Sequence, residues 1–321
     1  MDTKIPELFE THTFLTNAGT ETYLVFQQNF ELPEFCAFLV HEDELAWAEL
    51  EQNYLAPILE AAAASDCGLL LDALVWRAQP DFISKLGRAA DELELINKRA
   101  VQITREAVER WRHARACDPN RFPVLITADI GPRGDAYQAG GPTASAAAAY
   151  DYHQTQLAAL AAADVDLICA LTMTTAEESI GIAQAAAAHE LPIIISPTVE
   201  TDGRLPDGTP LGIFVEQVDD ATDLSPLFYM VNCAHPSHLI PTLETARENK
   251  DAWLSRFRGF RANASAKTHQ ELDNSPELDR GNVENLGRQM IDMQSKYDLR
   301  VIGGCCGTDH EHLAAMTPRA I

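Results

Sequence analysis

Short β-rich apolar runs alternate with long Ala-, Leu- and Glu-rich stretches along nearly the whole chain, and few folds accommodate that rhythm. Repeated βα units bury their strands on both faces of a parallel sheet, so each strand is expected as a near-continuous apolar run with little alternation. Eight runs fit: Thr13–Thr16, Gly68–Leu74, Val124–Ile130, Asp166–Leu171, Pro192–Ser196, Phe228–Asn232, Phe257–Ala262 and Arg300–Gly303. Between them the composition predicts helices at Glu42–Ser65, Asp91–Ala116, Thr143–Ala163, Ala176–His189, Leu211–Val218, Ser237–Glu248 and Val283–Lys296, with Asp309–Met316 closing the chain. Eight strands in about 320 residues predict a single (β/α)₈ barrel, α/β in class, spanning residues 1–321 with no composition shift to mark a boundary.

Local chemistry marks several element ends. Thr143 and Ser145 precede an alanine run as a helix N-cap does, and Thr175-Ala176-Glu177-Glu178 places a hydroxyl and then acids in a first turn. Pro192 stops a helix before the buried Ile193-Ile194-Ile195 strand. Glu200–Pro210 and Ala264–Arg280 break the rhythm and are expected as long loops after the fifth and seventh strands; long loops at one end of a barrel carry function.

Charge and cysteine usage narrow the partners. With 24 Lys+Arg against 48 Asp+Glu the formal charge is −24, which disfavours nucleic acid and anionic membranes. No apolar run approaches the ~20 residues that span a bilayer, and the first residues show no secretory signal. Seven cysteines, an odd number, point to reduced thiols and a cytoplasmic setting. Small molecules are the expected partners, bound to a monomer or a homo-oligomer.

The chemistry concentrates at Val301-Ile302-Gly303-Gly304-Cys305-Cys306-Gly307-Thr308, an adjacent thiol pair wrapped by glycines directly after a strand. Glycine tolerates positive φ, so a sharp kink there is expected to aim both sulfurs at one point. A third thiol, Cys233, ends the sixth run in Val231-Asn232-Cys233-Ala234-His235-Pro236. It lies 72 residues from Cys305, far beyond finger spacing, but the C-terminal ends of strands six and eight of a barrel share one rim. Three thiolates there suit one Zn²⁺ with an open fourth position. Such an anionic set acidifies water poorly and serves a thiol better, leaving a nucleophilic sulfur for alkyl transfer. His235, His238, His310 and His312 lie near the thiols in sequence and are read as supporting hydrogen-bond donors or helix-start residues rather than ligands, since His310-Glu311-His312 lacks i, i+4 spacing. His153 is read as helix packing. Asn232 and Asn263, at strand ends, are candidate substrate hydrogen-bonders. Cys36, Cys67, Cys117 and Cys169 are read as structural.

Asn-Cys at the sixth strand with Gly-Gly-Cys-Cys-Gly-Thr at the eighth resembles the zinc-dependent homocysteine S-methyltransferase family, with similarity from about Thr13 to Met316. Leu15-Thr16-Asn17-Ala18-Gly19, Ile130-Gly131-Pro132-Arg133-Gly134-Asp135, Asp207-Gly208-Thr209-Pro210-Leu211 and Arg261-Ala262-Asn263-Ala264-Ser265 resemble further family segments. The resemblance implies a (β/α)₈ barrel and zinc on Cys233, Cys305 and Cys306. It implies methyl transfer from an onium donor (S-methylmethionine, S-adenosylmethionine or betaine) to homocysteine, giving methionine and a place in methionine biosynthesis. Two positions depart from the pattern: Asn17 stands where an acid is usual in the first-strand turn, and Leu171 where a Glu is usual after the fourth strand. Those acids resemble clamps for an ammonium group, so a different thiol acceptor is the alternative, with a zinc- or thiol-binding protein without methyl transfer as the other. Asn17, Glu21, Asp129, Thr172, Asn232 and Asn263 are the candidate substrate-binding residues, with Asp72 and Glu200 as further acids near strand ends.

Overall fold

A computed structural model of the protein describes residues 5–65, 67–119, 121–134, 136, 145–273 and 277–317. Eight parallel strands close into one ring in sequence order. They are β1 (Phe14–Thr16), β2 (Gly68–Asp72), β3 (Val124–Ile130), β4 (Leu167–Met173), β5 (Ile193–Pro197), β6 (Tyr229–Ala234), β7 (Phe257–Ala262) and β8 (Val301–Gly304). All eight expected runs are therefore strands. The helices before β3 are α1 (Ile5–Thr11), α2 (Thr20–Phe26), α3 (Glu44–Leu50), α4 (Ala56–Ala64), α5 (Pro80–Lys85) and α6 (Glu92–Arg115). Those after it are α7 (Ala146–Ala162), α8 (Ala176–Ala188), α9 (Leu211–Thr222), α10 (Pro236–Asn249), α11 (His269–Asp273), α12 (Val283–Tyr297) and α13 (His310–Met316). The architecture is the (β/α)₈ barrel that the alternation predicts.

Three details differ from expectation. The single helix expected over residues 42–65 is two segments joined by a π-turn at Glu51–Leu55. The loop after β7 contains the short helix α11. Helices α1, α2 and α5 have no counterpart in the sequence pattern, being at most 7 residues long and below the length at which periodicity speaks. The caps behave as read. Ser145 Oγ accepts from Ala148 N at 3.2 Å and Thr175 Oγ1 from Glu178 N at 3.4 Å; Thr143, Asp135, Asn274 and Pro276 lie outside the described residues.

Apolar side chains form two layers. One fills the space between strands and helices, as with Leu69, Leu71, Ile168, Ile195 and Phe260. The other fills the barrel itself with Phe14, Leu70, Leu125, Leu167, Ile194, Met230 and Val301. Helix α1 plugs the N-terminal end: the Phe9 ring stacks 4.9 Å from Phe14 and edge-on 5.0 Å from Phe228. Towards the C-terminal end the interior changes character. Asp72, Asp129, Ser196, Asn232 and Arg261, all buried, occupy strand positions there. Charged groups in that layer are costly unless paired, and barrel chemistry sits at that end. Among the described residues no helix is long and apolar enough to cross a membrane.

Candidate metal centre

Two turns bring the thiols to the rim. Strand β6 bulges between Asn232 and Ala234, and Cys233 takes a left-handed φ of 56°. A bulge re-aims a side chain, and left-handed backbone at a non-glycine residue carries about 1–3 kcal/mol of strain. The Cys233 carbonyl is held by Asn263 Nδ2 at 3.1 Å and His269 Nε2 at 2.7 Å, which pins the turn. After β8, Cys305 N donates to Ala262 O at 2.8 Å and Cys306 O accepts from Ala264 N at 3.1 Å. Thr308 returns to Cys305 O through both its N–H (3.2 Å) and its hydroxyl (2.7 Å). Of the glycines that wrap the thiols, Gly307 takes the expected positive φ, at +78°, whereas Gly303 and Gly304 do not. Gly304 serves close approach instead, since a Cβ there would collide with the Thr308 side chain.

The three sulfurs converge. Cys233 Sγ lies 2.6 Å from Cys305 Sγ and 4.0 Å from Cys306 Sγ, and all three fall within 4.8 Å of one another. Tetrahedral coordination with Zn–S bonds of ~2.3 Å has S···S edges of about 3.8 Å, so shifts of about 1 Å turn this cluster into three corners of such a site. Hydrogen bonding from Cys233 pushes the Cys305 thiol up to about 12, and Cys306, pressed by Cys233, Cys305 and burial, well above the usual thiol range. Three sulfurs converging on one point suit a divalent cation, which takes them as thiolates and displaces their protons. The donor set fits zinc.

Beneath the thiols a charged bar crosses the barrel. β3 and β7 are four strands apart in a ring of eight, hence opposite. Arg261 Nη1 on β7 reaches Asp129 Oδ2 on β3 at 2.7 Å, and Arg261 Nε points to Gly304 O at 3.4 Å. Asp72 Oδ1 accepts from Asp129 N at 3.0 Å. Burial raises Asp72 well above the carboxylate range, with the Asp129 charge adding to it; burial also raises Asp129 against the pull of Arg261. Glu21, in the first turn of α2, is pushed up to about 7 by burial, with Cys305 and Asp129 contributing.

The Glu21 shift has a measurable sign. In the folded, metal-free protein Glu21 keeps its proton up to pH of about 7, whereas an unfolded Glu releases it near 4.5. Its contribution to stability is therefore fully present below pH 4.5 and is lost as pH rises towards and through 7. Relative to wild type, Glu21→Gln is expected to be equally stable at pH 4.5 and more stable by up to about 3 kcal/mol at pH 8. Urea unfolding of both proteins across that range checks it; a difference flat in pH would remove Glu21 from the buried cluster.

The other candidates fall into distinct settings. Asn232 turns its amide onto β4: Oδ1 accepts from Thr172 N and Ser196 Oγ, both at 2.8 Å, and Nδ2 donates to Thr172 Oγ1 at 2.9 Å. It thereby holds the β4 bulge, where Thr172 has φ 62°. Asn17 Nδ2 donates to Thr20 Oγ1 at 2.9 Å, which meets Tyr54 Oη at 2.8 Å. Leu171 packs inside the barrel. The buried amide oxygens Asn17 Oδ1 and Asn263 Oδ1, both just past strand ends, meet no hydrogen-bond donor among the described residues.

The histidines are mostly structural. His312 closes a capping box with Asp309 and meets Arg280 O at 3.0 Å. His310 is exposed, His235 caps α10 through Ser237 N, and His153 is buried 2.9 Å from Glu178 Oε1. Two site residues were not legible in sequence. Arg261 stood within a quoted segment without a role, and its only signal was a charge inside an apolar strand. His269, 3.3 Å from Glu200 Oε1 and bonded to Cys233 O, sits in a polar loop without any pattern.

With this geometry in place, likeness to known proteins becomes informative. A family model described as homocysteine S-methyltransferase matches residues 72–320. The oxidized form of the homocysteine methyltransferase MmuM from Escherichia coli superposes with a TM-score of 0.73 at 18% identity, covering 96% of each chain. Its metallated form gives 0.70 at 17% identity, covering 98% of this chain and 99% of that one. At such identities these two likenesses establish a shared fold.

Proposed function

This chain belongs to the homocysteine S-methyltransferase family, and from that premise we propose that it is a zinc-dependent enzyme that moves a methyl group from an onium donor to a thiol. Homocysteine is the expected acceptor, giving methionine, with S-methylmethionine, S-adenosylmethionine or betaine as donor. The observation that carries the reading is the meeting of Cys233, Cys305 and Cys306 within 4.8 Å at the C-terminal rim. These three side chains would hold the ion. Bound there, zinc would lower the pKa of an incoming thiol while leaving its sulfur nucleophilic.

The chain's own groups perform the rest. The Cys233 carbonyl clamp and the Cys305–Thr308 turn fix the sulfurs on strand ends rather than on a loose loop. The acceptor sulfur forms its new bond to the methyl carbon as the donor's carbon–onium bond breaks, and the bonding pair stays on the donor's sulfur or nitrogen, which becomes neutral. A negative thiolate and a positive onium thus neutralise each other in the transition state, so a partly dry site that excludes water and holds them in line favours reaction. No acid–base pair is required for that step.

The test is direct. Zinc-loaded protein incubated with homocysteine and a panel of other thiols, against S-methylmethionine, S-adenosylmethionine and betaine, is expected to form a thioether with at least one pair. If mass spectrometry finds none, methyl transfer is excluded and the family fold here serves thiol or metal binding.

A further inference from the structure

The geometry points to His269 as the positioning residue that sets how tightly the thiol centre holds its metal, by keeping Cys233 in the left-handed conformation that aims its sulfur at Cys305 and Cys306. The inference rests on the metal-centre reading and extends it from the three ligands to the group that aims one of them.

Of the three thiols, Cys233 needs the most support. Cys305 and Cys306 sit in a turn closed by backbone bonds to Ala262 O and from Ala264 N, and by Thr308. Cys233 instead sits at a bulge with φ 56°, a conformation natural to glycine and unfavourable for a residue with a Cβ. Released, such a residue relaxes towards extended backbone, and its side chain swings in another direction. Its sulfur is also the common vertex of the cluster, 2.6 Å from Cys305 Sγ and 4.0 Å from Cys306 Sγ, so that swing takes the site apart.

The Cys233 carbonyl has two lone pairs and two donors: Asn263 Nδ2 at 3.1 Å and His269 Nε2 at 2.7 Å. A carbonyl only accepts, so Nε2 carries the hydrogen of that bond. Asn263 directly follows β7, whereas His269 comes from the polar loop beyond it, and that loop is itself tied down. His238 Nε2 on α10 donates to Ala266 O at 3.0 Å, and Thr268 bonds Glu271 Oε2 through both its N–H and its hydroxyl at 2.9 Å. On the far edge of the ring, Glu200 Oε1, from the loop after β5, stands 3.3 Å from Nδ1. The His269 side chain is 12% exposed, so water competes little for its bond. The two long loops that break the βα rhythm thus meet at His269, which grips the carbonyl of a metal ligand. Groups that orient a ligand govern metal affinity by about 10–100-fold without touching the ion.

Zinc affinity of the reduced protein, measured by competition with a chromophoric chelator, tests this. His269→Leu keeps most of the bulk and removes the donor, while His269→Gln returns an amide N–H to the place of Nε2. His269→Leu is expected to bind zinc about 10–100-fold more weakly than wild type, and His269→Gln to recover most of that loss. In the cobalt(II)-substituted protein, the d–d absorption of His269→Leu is expected to depart from that of wild type and that of His269→Gln to match it. A folded His269→Leu with wild-type zinc affinity overturns the proposal. So does a loss that His269→Gln fails to recover, because the effect then belongs to loop packing rather than to the N–H. Should His269→Leu not fold, wild type decides alone: the zinc-loaded protein is expected to show a slowly exchanging His269 Nε2–H by proton–nitrogen NMR, and its absence overturns the proposal. Wild-type protein that binds no zinc sinks the metal-centre reading, and the proposal with it, before any variant is made. Zinc-loaded wild type that forms no thioether sinks methyl transfer and leaves the clamp standing.

Discussion

Cys306→Ala is expected to lose both zinc and methyl transfer, while the barrel still folds. Removing one of three sulfurs leaves two protein donors, too few for a tetrahedral ion that keeps an open corner. Cys306 O, which accepts from Ala264 N, is a backbone group and persists in the variant. The chain turn should therefore survive. Zinc content by atomic absorption is expected to fall from about one per chain to near zero, and thioether formation by about a thousandfold or more, the order expected when a required metal is lost. Full zinc stoichiometry in the variant would refute the ligand assignment. Cys169→Ala is the matching control, since that thiol is buried in the barrel and belongs to its apolar packing.

Arg261→Met tests the other unusual feature, the charged bar. Arg261 and Asp129 have side-chain exposures of 7% and 5%, so the pair is screened from solvent. Taking away one partner strands the other charge, beside Asp72, in a setting where breaking a buried pair costs about 3–5 kcal/mol. Urea unfolding of the metal-free, reduced protein should register a loss of that order. Replacing both partners, Arg261→Met with Asp129→Leu, should recover most of it, because a well-packed apolar pair replaces an ion pair without leaving a charge unpaired. A single-variant loss below about 1 kcal/mol would place the pair in effective contact with water, like an exposed salt bridge.

Much of the fold was legible because the signals are local. Val124–Ile130 and Phe257–Ala262 are strands with the bounds their apolar runs imply. The other strands shift by one or two residues at one or both ends. Two of those shifts have a physical cause: β4 runs on to Met173 and β6 to Ala234 because each contains a bulge. A bulge depends on what the neighbouring strand offers, here the Asn232 amide that grips Thr172, and apolar patterning does not encode it. The thiol turn was legible in its residues but not in its mechanics. Gly307 takes the positive φ that a glycine allows, but the strained left-handed residue is Cys233, held by donors from the next strand and its loop.

The amino-acid order alone settled the βα rhythm, the closed parallel architecture and the pairing of a Cys-Cys turn with a distant thiol at strand ends. Each follows from nearest-neighbour propensity, from apolar run length, or from a ring's rule that strand ends share a rim. Barrel closure alone decided that Arg261 would meet Asp129, 132 residues away, and that His269 would reach the Cys233 carbonyl. Such partners are set by which side chains face one another across a finite interior, a distance relation that no local pattern carries.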